Sequence, residues 1–115
     1  MLKLIVIATV VVCTVANAQI LIWWNYSQWE RLPQDAKVAY LAGAFDSLVG
    51  LADDQTQIQM ALHYSKCVSS THMSPRQLTD SVSAFGAAHL ELQGFTVQRV
   101  LVNYLISLCG TPPQR

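Results

Sequence analysis

The side chains best suited to chemistry in this chain are its cysteines and histidines, three of each among 115 residues. Cys13 lies in an apolar N-terminal run that we expect to be removed, which leaves Cys67 and Cys109 in the mature chain. An even cysteine count in a small exported domain predicts a disulfide, because oxidising compartments preserve the bond. Closing a loop of this length stabilises a domain by about 4 kcal/mol in the chain-entropy model.

A metal site or a reactive thiol is the alternative interpretation of the same residues. His63 precedes Cys67 by four residues on the same predicted helix face, and His72 follows nearby. Zinc sites usually present four ligands in closely spaced pairs, and the sequence offers no second pair. Asp53 and Asp54 lack the glycine and the closing glutamate of a calcium loop. We therefore expect neither a metal nor another cofactor.

Composition and motifs exclude several other classes of function. The sequence contains no nucleophile elbow, no phosphate-binding loop and no zinc-protease motif, so we expect no enzymatic activity. Lysine plus arginine and aspartate plus glutamate both total 7, which gives the chain no net charge. A nucleic-acid-binding domain normally carries a basic face, so we expect no nucleic acid among the partners.

The N-terminus indicates export. Lys3 is followed by an apolar run that ends in Ala16-Asn17-Ala18, and small residues at these positions fit a signal peptidase. We therefore predict a signal peptide over residues 1–18, cleavage between Ala18 and Gln19, and a mature domain of residues 19–115 without stable membrane insertion. The alternative is an uncleaved anchor, because residues 20–24 extend the apolar run to about the 20 residues that span a bilayer.

The mature chain is predicted to form a small all-α domain of four helices with one disulfide. Apolar periodicity predicts helices over residues 34–53, 55–66, 75–89 and 96–109. Ser74 and Gln77 flank Pro75 in the pattern of a capping box with proline at the first helical position. The serine- and threonine-rich segment 68–73 is predicted to be a linker. No strand-like alternation is present.

Side-chain burial follows from the same periodicity. The first long helix buries a broad apolar stripe around Leu41, with Lys37 off the stripe and Gly43 at a close-packing position. An aromatic cluster precedes this helix and is predicted either to cover the edge of the core or to bind a partner; it contains Trp23, Trp24, Tyr26 and Trp29. The inward residues predicted on the other helices are Ile58, Leu62, Tyr64, Cys67, Leu78, Val82, Phe85, Val97, Val100, Leu101, Tyr104, Leu105 and Leu108.

A series of motifs runs through residues 29–110: Trp29, then Tyr-Leu-Ala-Gly-Ala-Phe-Asp at 40–46, Cys67, Ser-Pro-Arg-Gln-Leu at 74–78, and Cys109. This order resembles the bacterial Rap/Tai immunity proteins. The resemblance implies a periplasmic, disulfide-bonded helical protein, often a homodimer, that blocks a type VI secretion peptidoglycan amidase toxin by occluding its active site. The chain differs from that family in lacking a proline soon after Cys67 and directly before Cys109.

The first hypothesis is therefore a periplasmic binding protein of the immunity type, which presents a loop to an amidase. The candidate contacts lie in two predicted polar connections and are Asp53, Asp54, Gln55, Ser69, Ser70, Thr71 and His72. One alternative resembles the small acid-activated periplasmic chaperones, in which protonation of carboxylates loosens a helical dimer. Only 7 acidic residues are available for such a switch. A carrier of an apolar ligand is the remaining alternative.

Overall fold

The computed structural model describes residues 24–50 and 52–113. The predicted signal peptide, its cleavage site at Ala18–Gln19, Cys13 and Trp23 lie outside the described residues. Within those two ranges the chain is helical and has no strand, which confirms the all-α class. The helices are α1 (Tyr26–Glu30), α2 (Gln34–Gly50), α3 (Gln55–Thr71), α4 (Pro75–Ala88) and α5 (Val97–Cys109), with a 3-10 turn at Leu90–Leu92.

The four predicted helices correspond to α2 to α5, and α1 is an addition. The Asn25 side chain accepts a hydrogen bond from the Gln28 N–H, and the Gln28 side chain accepts one from the Asn25 N–H, which makes a capping box at the start of α1. The prediction of a four-helix domain is thus corrected to five α-helices within residues 24–50 and 52–113. With 5 residues, α1 is too short to show apolar periodicity.

The end of α3 lies further along the chain than predicted. The helix continues past Lys66 to Thr71, so Ser69, Ser70 and Thr71 belong to its last turn and not to a linker. The Ser70 Oγ donates to the Cys67 carbonyl at 2.7 Å, and the Thr71 Oγ1 donates to the Val68 carbonyl at 2.6 Å. The hydroxyl-rich sequence predicted a loop here, but the Ser70 and Thr71 hydroxyls donate to backbone carbonyls of the helix itself. The helix ends at His72, which adopts the left-handed conformation at φ 56°.

The core forms around α2, which packs against α3, α4 and α5. Trp29 is completely buried, Tyr26 is almost so, and Trp24 is half-buried against the same core. These three aromatic residues thus cover and complete the core, the first of the two predicted interpretations. The other fully buried large side chains are Tyr64, Leu41, Leu101, Leu105, Val82, Val97, Val100 and Thr79.

Three predicted core residues lie largely at the surface. Leu62 is 47 % exposed, Leu108 is 39 % exposed, and Ile58 is also exposed. The inward face of α3 carries Tyr64, as predicted, and Ala61, which was not predicted. The prediction was wrong because apolar residues surround much of α3, and the sequence does not show which of its sides is covered by another helix.

The glycine at a close-packing position is Gly86 and not the predicted Gly43. A Cβ at Gly86 would lie 2.2 Å from the Tyr26 ring, whereas a Cβ at Gly43 would meet no atom within 4 Å. The missing side chain on α4 lets the Tyr26 ring pack close to the helix backbone. In that position the Tyr26 hydroxyl donates a hydrogen bond of 2.6 Å to the Ser83 carbonyl.

Candidate partner-binding cleft

A cleft lies between the first half of α3 and the tail that follows α5. Its volume is about 430 Å³. The tail forms one wall and α3 forms the other. The lining residues are Gln55, Thr56, Gln59, Met60, Thr111, Pro112 and Pro113.

The Cys67–Cys109 disulfide and a histidine hold the two walls together. The predicted disulfide is confirmed, and it joins α3 to the last residue of α5 with a Cα–Cα distance of 5.8 Å. One turn before Cys67, the His63 Nε2 lies 3.1 Å from the Cys109 carbonyl oxygen and 3.0 Å from that of Gly110. Because both partners are acceptors, the ring nitrogen is the donor. The start of the tail is therefore fixed against α3 by a covalent bond and a side-chain hydrogen bond.

The residues considered for a metal site, His63 and Cys67, serve instead to hold the tail against α3. His63 faces backbone oxygens and Cys67 is bonded to Cys109, so neither side chain is arranged as part of a ligand cluster. In residues 24–50 and 52–113, no group of three histidine, cysteine or acidic side chains is close enough to hold a metal ion.

The first set of predicted contact residues adjoins the cleft. Gln55 lines it directly, and Asp54 caps α3, with its Oδ1 accepting from the Gln57 N–H at 2.8 Å. Asp53 is exposed, and its N–H donates to the Gln57 side chain at 3.4 Å. In the turn before α3, the Asp54 carboxylate thus caps the helix, whereas the Asp53 carboxylate is exposed and does not cap it.

The second set lies at the opposite end of the same helix. Ser69, Ser70 and Thr71 are in the last turn of α3, and His72 follows them. A helix of 17 residues is about 25 Å long at 1.5 Å per residue. The structure thus does not bring the two predicted sets together, and a site built on the cleft includes only the first.

The lining of the cleft suits a peptide segment. Gln55 and Gln59 offer amide donors and acceptors, and Met60 and the two prolines offer apolar contact. None of the described residues that line the cleft is ionisable. The sequence predicted Gln55 as a contact residue but not the tail. The tail residues 110–113 are more than 50 positions from the start of α3 in the sequence, and only folding brings them beside that helix. The arrangement can bind a polypeptide by hydrogen bonds and apolar contact.

An ion pair between a buried lysine and a partly exposed glutamate forms a second polar cluster. Lys37, predicted to lie off the apolar stripe, is only 7 % exposed. Its Nζ donates to the Glu30 Oε1 at 2.9 Å and to the Ser83 Oγ at 3.2 Å, and lies 4.7 Å from the centre of the Trp29 ring. The Ser83 hydroxyl in turn donates to the Glu30 carboxylate. This cluster holds α1, α2 and α4 together.

The surroundings shift the pKa values of this cluster. Partial burial raises the pKa of Glu30, but hydrogen bonds from Ser83 and Lys37 and the Lys37 charge outweigh it, so the net pKa lies below its ordinary 4.5. Burial, and then the Glu30 carboxylate, raise the pKa of Tyr26. The Tyr26 hydroxyl is therefore protonated at neutral pH and can donate to Ser83. Lys37 lies in register with Tyr40, Leu41 and Ala44, a spacing that could have revealed its burial.

Substitution of Glu30 by glutamine is expected to make the free energy of unfolding depend less on pH below about pH 4.5. Because the pKa of Glu30 is lowered by folding, its contribution is complete above pH 4.5 and is lost as the pH falls through the folded value. At neutral pH the variant is expected to be about 1–2 kcal/mol less stable, a modest loss because the Glu30 side chain is 37 % exposed. Urea denaturation at several pH values between 2 and 7 measures the free energy of unfolding, and thereby both the loss at neutral pH and the weaker dependence on acid; differences of roughly 1 kcal/mol are resolved.

Glu91→Gln is the matched control, since Glu91 is an exposed carboxyl outside the cluster. This control is expected to keep the acid-dependent fall of the wild-type protein. Parallel profiles for Glu30→Gln and wild type would show that the ion pair does not stabilise the fold.

Two further observations complete the description of the site. Among the described helices, none combines the length and the apolarity needed to cross a membrane. Comparison with known proteins finds no matching family model, no similar curated protein and no similar solved structure.

Proposed function

We propose that this chain is an exported helical binding protein of the immunity type, which blocks a type VI secretion peptidoglycan amidase in the periplasm. The cleft between α3 and the tail is the observation that carries the proposal. It adjoins Asp53, Asp54 and Gln55, the turn that the sequence independently suggested as a contact. Its uncharged polar and apolar lining is suited to holding a segment of another protein.

Preorganisation supports this use of the cleft. The Cys67–Cys109 bond and the His63 hydrogen bonds hold the tail against α3 before any partner arrives. A partner then binds without the entropic cost of ordering this wall, and that saving raises affinity. An oxidising compartment is also the place where such a disulfide persists.

The mechanism that we propose is steric occlusion. A segment at the rim of the amidase active site enters the cleft and contacts Gln55, Gln59 and Met60. The adjoining turn at Asp53 then covers the entrance to the active site and keeps peptidoglycan out. Occlusion needs no chemical step by this chain, and the described lining residues, which are polar without charge or apolar, suit contact alone.

Filling the cleft tests the proposal. Thr56 is exposed and lines the cleft, so Thr56→Trp is expected to weaken inhibition of a type VI secretion amidase by about 100-fold, the size of a binding hot spot. Peptidoglycan hydrolysis measured against increasing amounts of each variant gives the inhibition constant.

Ala87→Trp is the matched control, because Ala87 is exposed on α4 and does not line the cleft. It is expected to inhibit like wild type. Equal inhibition by both variants would place the binding surface elsewhere. Wild-type protein that neither binds nor inhibits the amidase would overturn the proposed function.

A further inference from the structure

The cleft between α3 and the tail has a mixed base and a polar opening. Met60 and Pro112 are half-buried in its lining, and Met60 also packs against the core. Gln59, next to Met60 in the chain, is half-buried as well and supplies an amide. Gln55 and Thr56 are exposed. A ligand in the cleft therefore meets apolar atoms and an amide at the base, and further uncharged polar groups at the opening.

The tail wall offers little to a ligand that binds through its backbone. Proline has no backbone N–H, so Pro112 and Pro113 cannot donate a hydrogen bond to the main chain of a partner. A strand that paired with the tail would meet only acceptors at these two positions. Recognition in the cleft therefore depends on side chains, and its occupant is defined by the chemistry of the side chain that enters.

Charge and size both restrict this side chain. The described lining residues carry no charge, so a charged side chain would lose water in the cleft without gaining an opposite charge. The cleft has a volume of about 430 Å³. A cavity of about 150 Å³ is enough to hold benzene, so the cleft has room for a large aromatic side chain. The occupant is therefore uncharged and can be as large as an indole.

We propose that the cleft holds an aromatic side chain with a polar tip, tryptophan or tyrosine, from the protein partner. The Met60 sulfur and the rings of Pro112 and Pro113 are favourable neighbours for an aromatic ring. The indole N–H or the phenol O–H donates to an amide oxygen of Gln55 or Gln59, because these side chains need a polar partner when they are buried. An aliphatic side chain would make the apolar contacts only and would not use the amides.

An aromatic side chain supplied by a partner rests on the proposed function, and it adds the chemistry by which that partner is recognised. Tryptophan and tyrosine are enriched among binding hot spots, where one side chain fills one pocket. The segment of the amidase that enters the cleft is therefore expected to carry one of these residues. The preference of the cleft for an aromatic ring can also be measured without the amidase.

The methyl signals of methionine in NMR spectra test the proposal in the full chain, exported from its complete gene. Met60 lines the cleft, whereas Met73 follows the opposite end of α3 and serves as an internal control. Met60→Leu and Met73→Leu assign the two signals of the isotope-labelled protein. Added N-acetyl-tryptophanamide is expected to shift the Met60 signal with a dissociation constant of about 1–10 mM, the affinity of one hot-spot side chain. The Met73 signal is expected to keep its position.

A matched probe and two variants complete the experiment. N-acetyl-leucinamide is expected to bind about 10-fold more weakly, because it lacks the ring and its polar tip. Thr56→Trp fills the cleft and is expected to abolish the titration, whereas Ala87→Trp, outside the cleft, is expected to preserve it.

The outcomes separate this proposal from the proposed function. An unshifted Met60 signal, an equal shift at Met73, equal affinity for both probes, or an unchanged titration in Thr56→Trp would each overturn the aromatic occupant. Wild-type protein that binds the tryptophan probe but neither binds nor inhibits the amidase would leave the aromatic preference of the cleft intact and overturn the proposed function.

Discussion

Replacing Cys67 and Cys109 by serine is expected to lower the free energy of unfolding by about 4 kcal/mol. The bond joins residues 42 apart, so it removes a large share of the conformational freedom of the unfolded chain. Small domains have only about 5–15 kcal/mol of net stability, so this loss is expected to leave a much smaller margin. Urea denaturation of the oxidised wild type and the double-serine variant gives the difference directly.

Reduction of the wild-type protein separates the cross-link from the change in side chains. The reduced wild type is expected to unfold at nearly the same urea concentration as the double-serine variant. If both remain as stable as the oxidised protein, the bond does not constrain the unfolded chain. Unchanged stability would also argue against a cleft wall held in place by the disulfide, on which the proposed function depends.

Alanine substitutions at two glycines are expected to change stability in opposite directions. Gly86→Ala places a methyl group 2.2 Å from the Tyr26 ring and is expected to cost about 2–3 kcal/mol, because the ring must leave the α4 backbone. Gly43→Ala adds a methyl group in open space on α2 and is expected to stabilise by about 0.5–1 kcal/mol, the usual gain in helix propensity. The difference is read from Tm and from urea midpoints.

A double substitution identifies the cause of the Gly86 effect. Tyr26→Ala removes the ring that the new methyl group would meet, so Gly86→Ala is expected to be far less costly in that background. Additive losses would contradict the close contact between α1 and α4. A destabilised Gly43→Ala would contradict the open environment of that position.

The four long helices and the disulfide could be predicted from local signals. Ser74, Pro75 and Gln77 start α4 as their chemistry predicts: the Ser74 Oγ accepts from the Gln77 N–H at 3.1 Å, and the Gln77 side chain accepts from the Ser74 N–H at 2.8 Å. Thr96 and Asp54 likewise accept hydrogen bonds at the starts of α5 and α3. Because a capping bond joins residues within one helical turn, both of its partners can be recognised in a short stretch of sequence.

The remaining features depend on residues that are distant in the chain. Lys37 is buried because Glu30 and Ser83 surround its ammonium group, and Ser83 lies 46 residues away. Leu62 is exposed because none of the described helices covers its side of α3. The cleft depends on the tail being held by Cys67 and His63. Periodicity identifies the apolar face of a helix, but it does not identify which elements will cover that face.

The position of α1 also sets an order of events for the newly made chain. Its contacts are to late parts of the sequence: the Tyr26 hydroxyl bonds across 57 residues to Ser83, and the Ser27 hydroxyl bonds across 66 residues to Gln93. Synthesis delivers the N-terminus first, so α1 is made long before its binding partners are. Docking of this helix therefore has to wait until most of the polypeptide has been synthesised, which makes it a late step in folding.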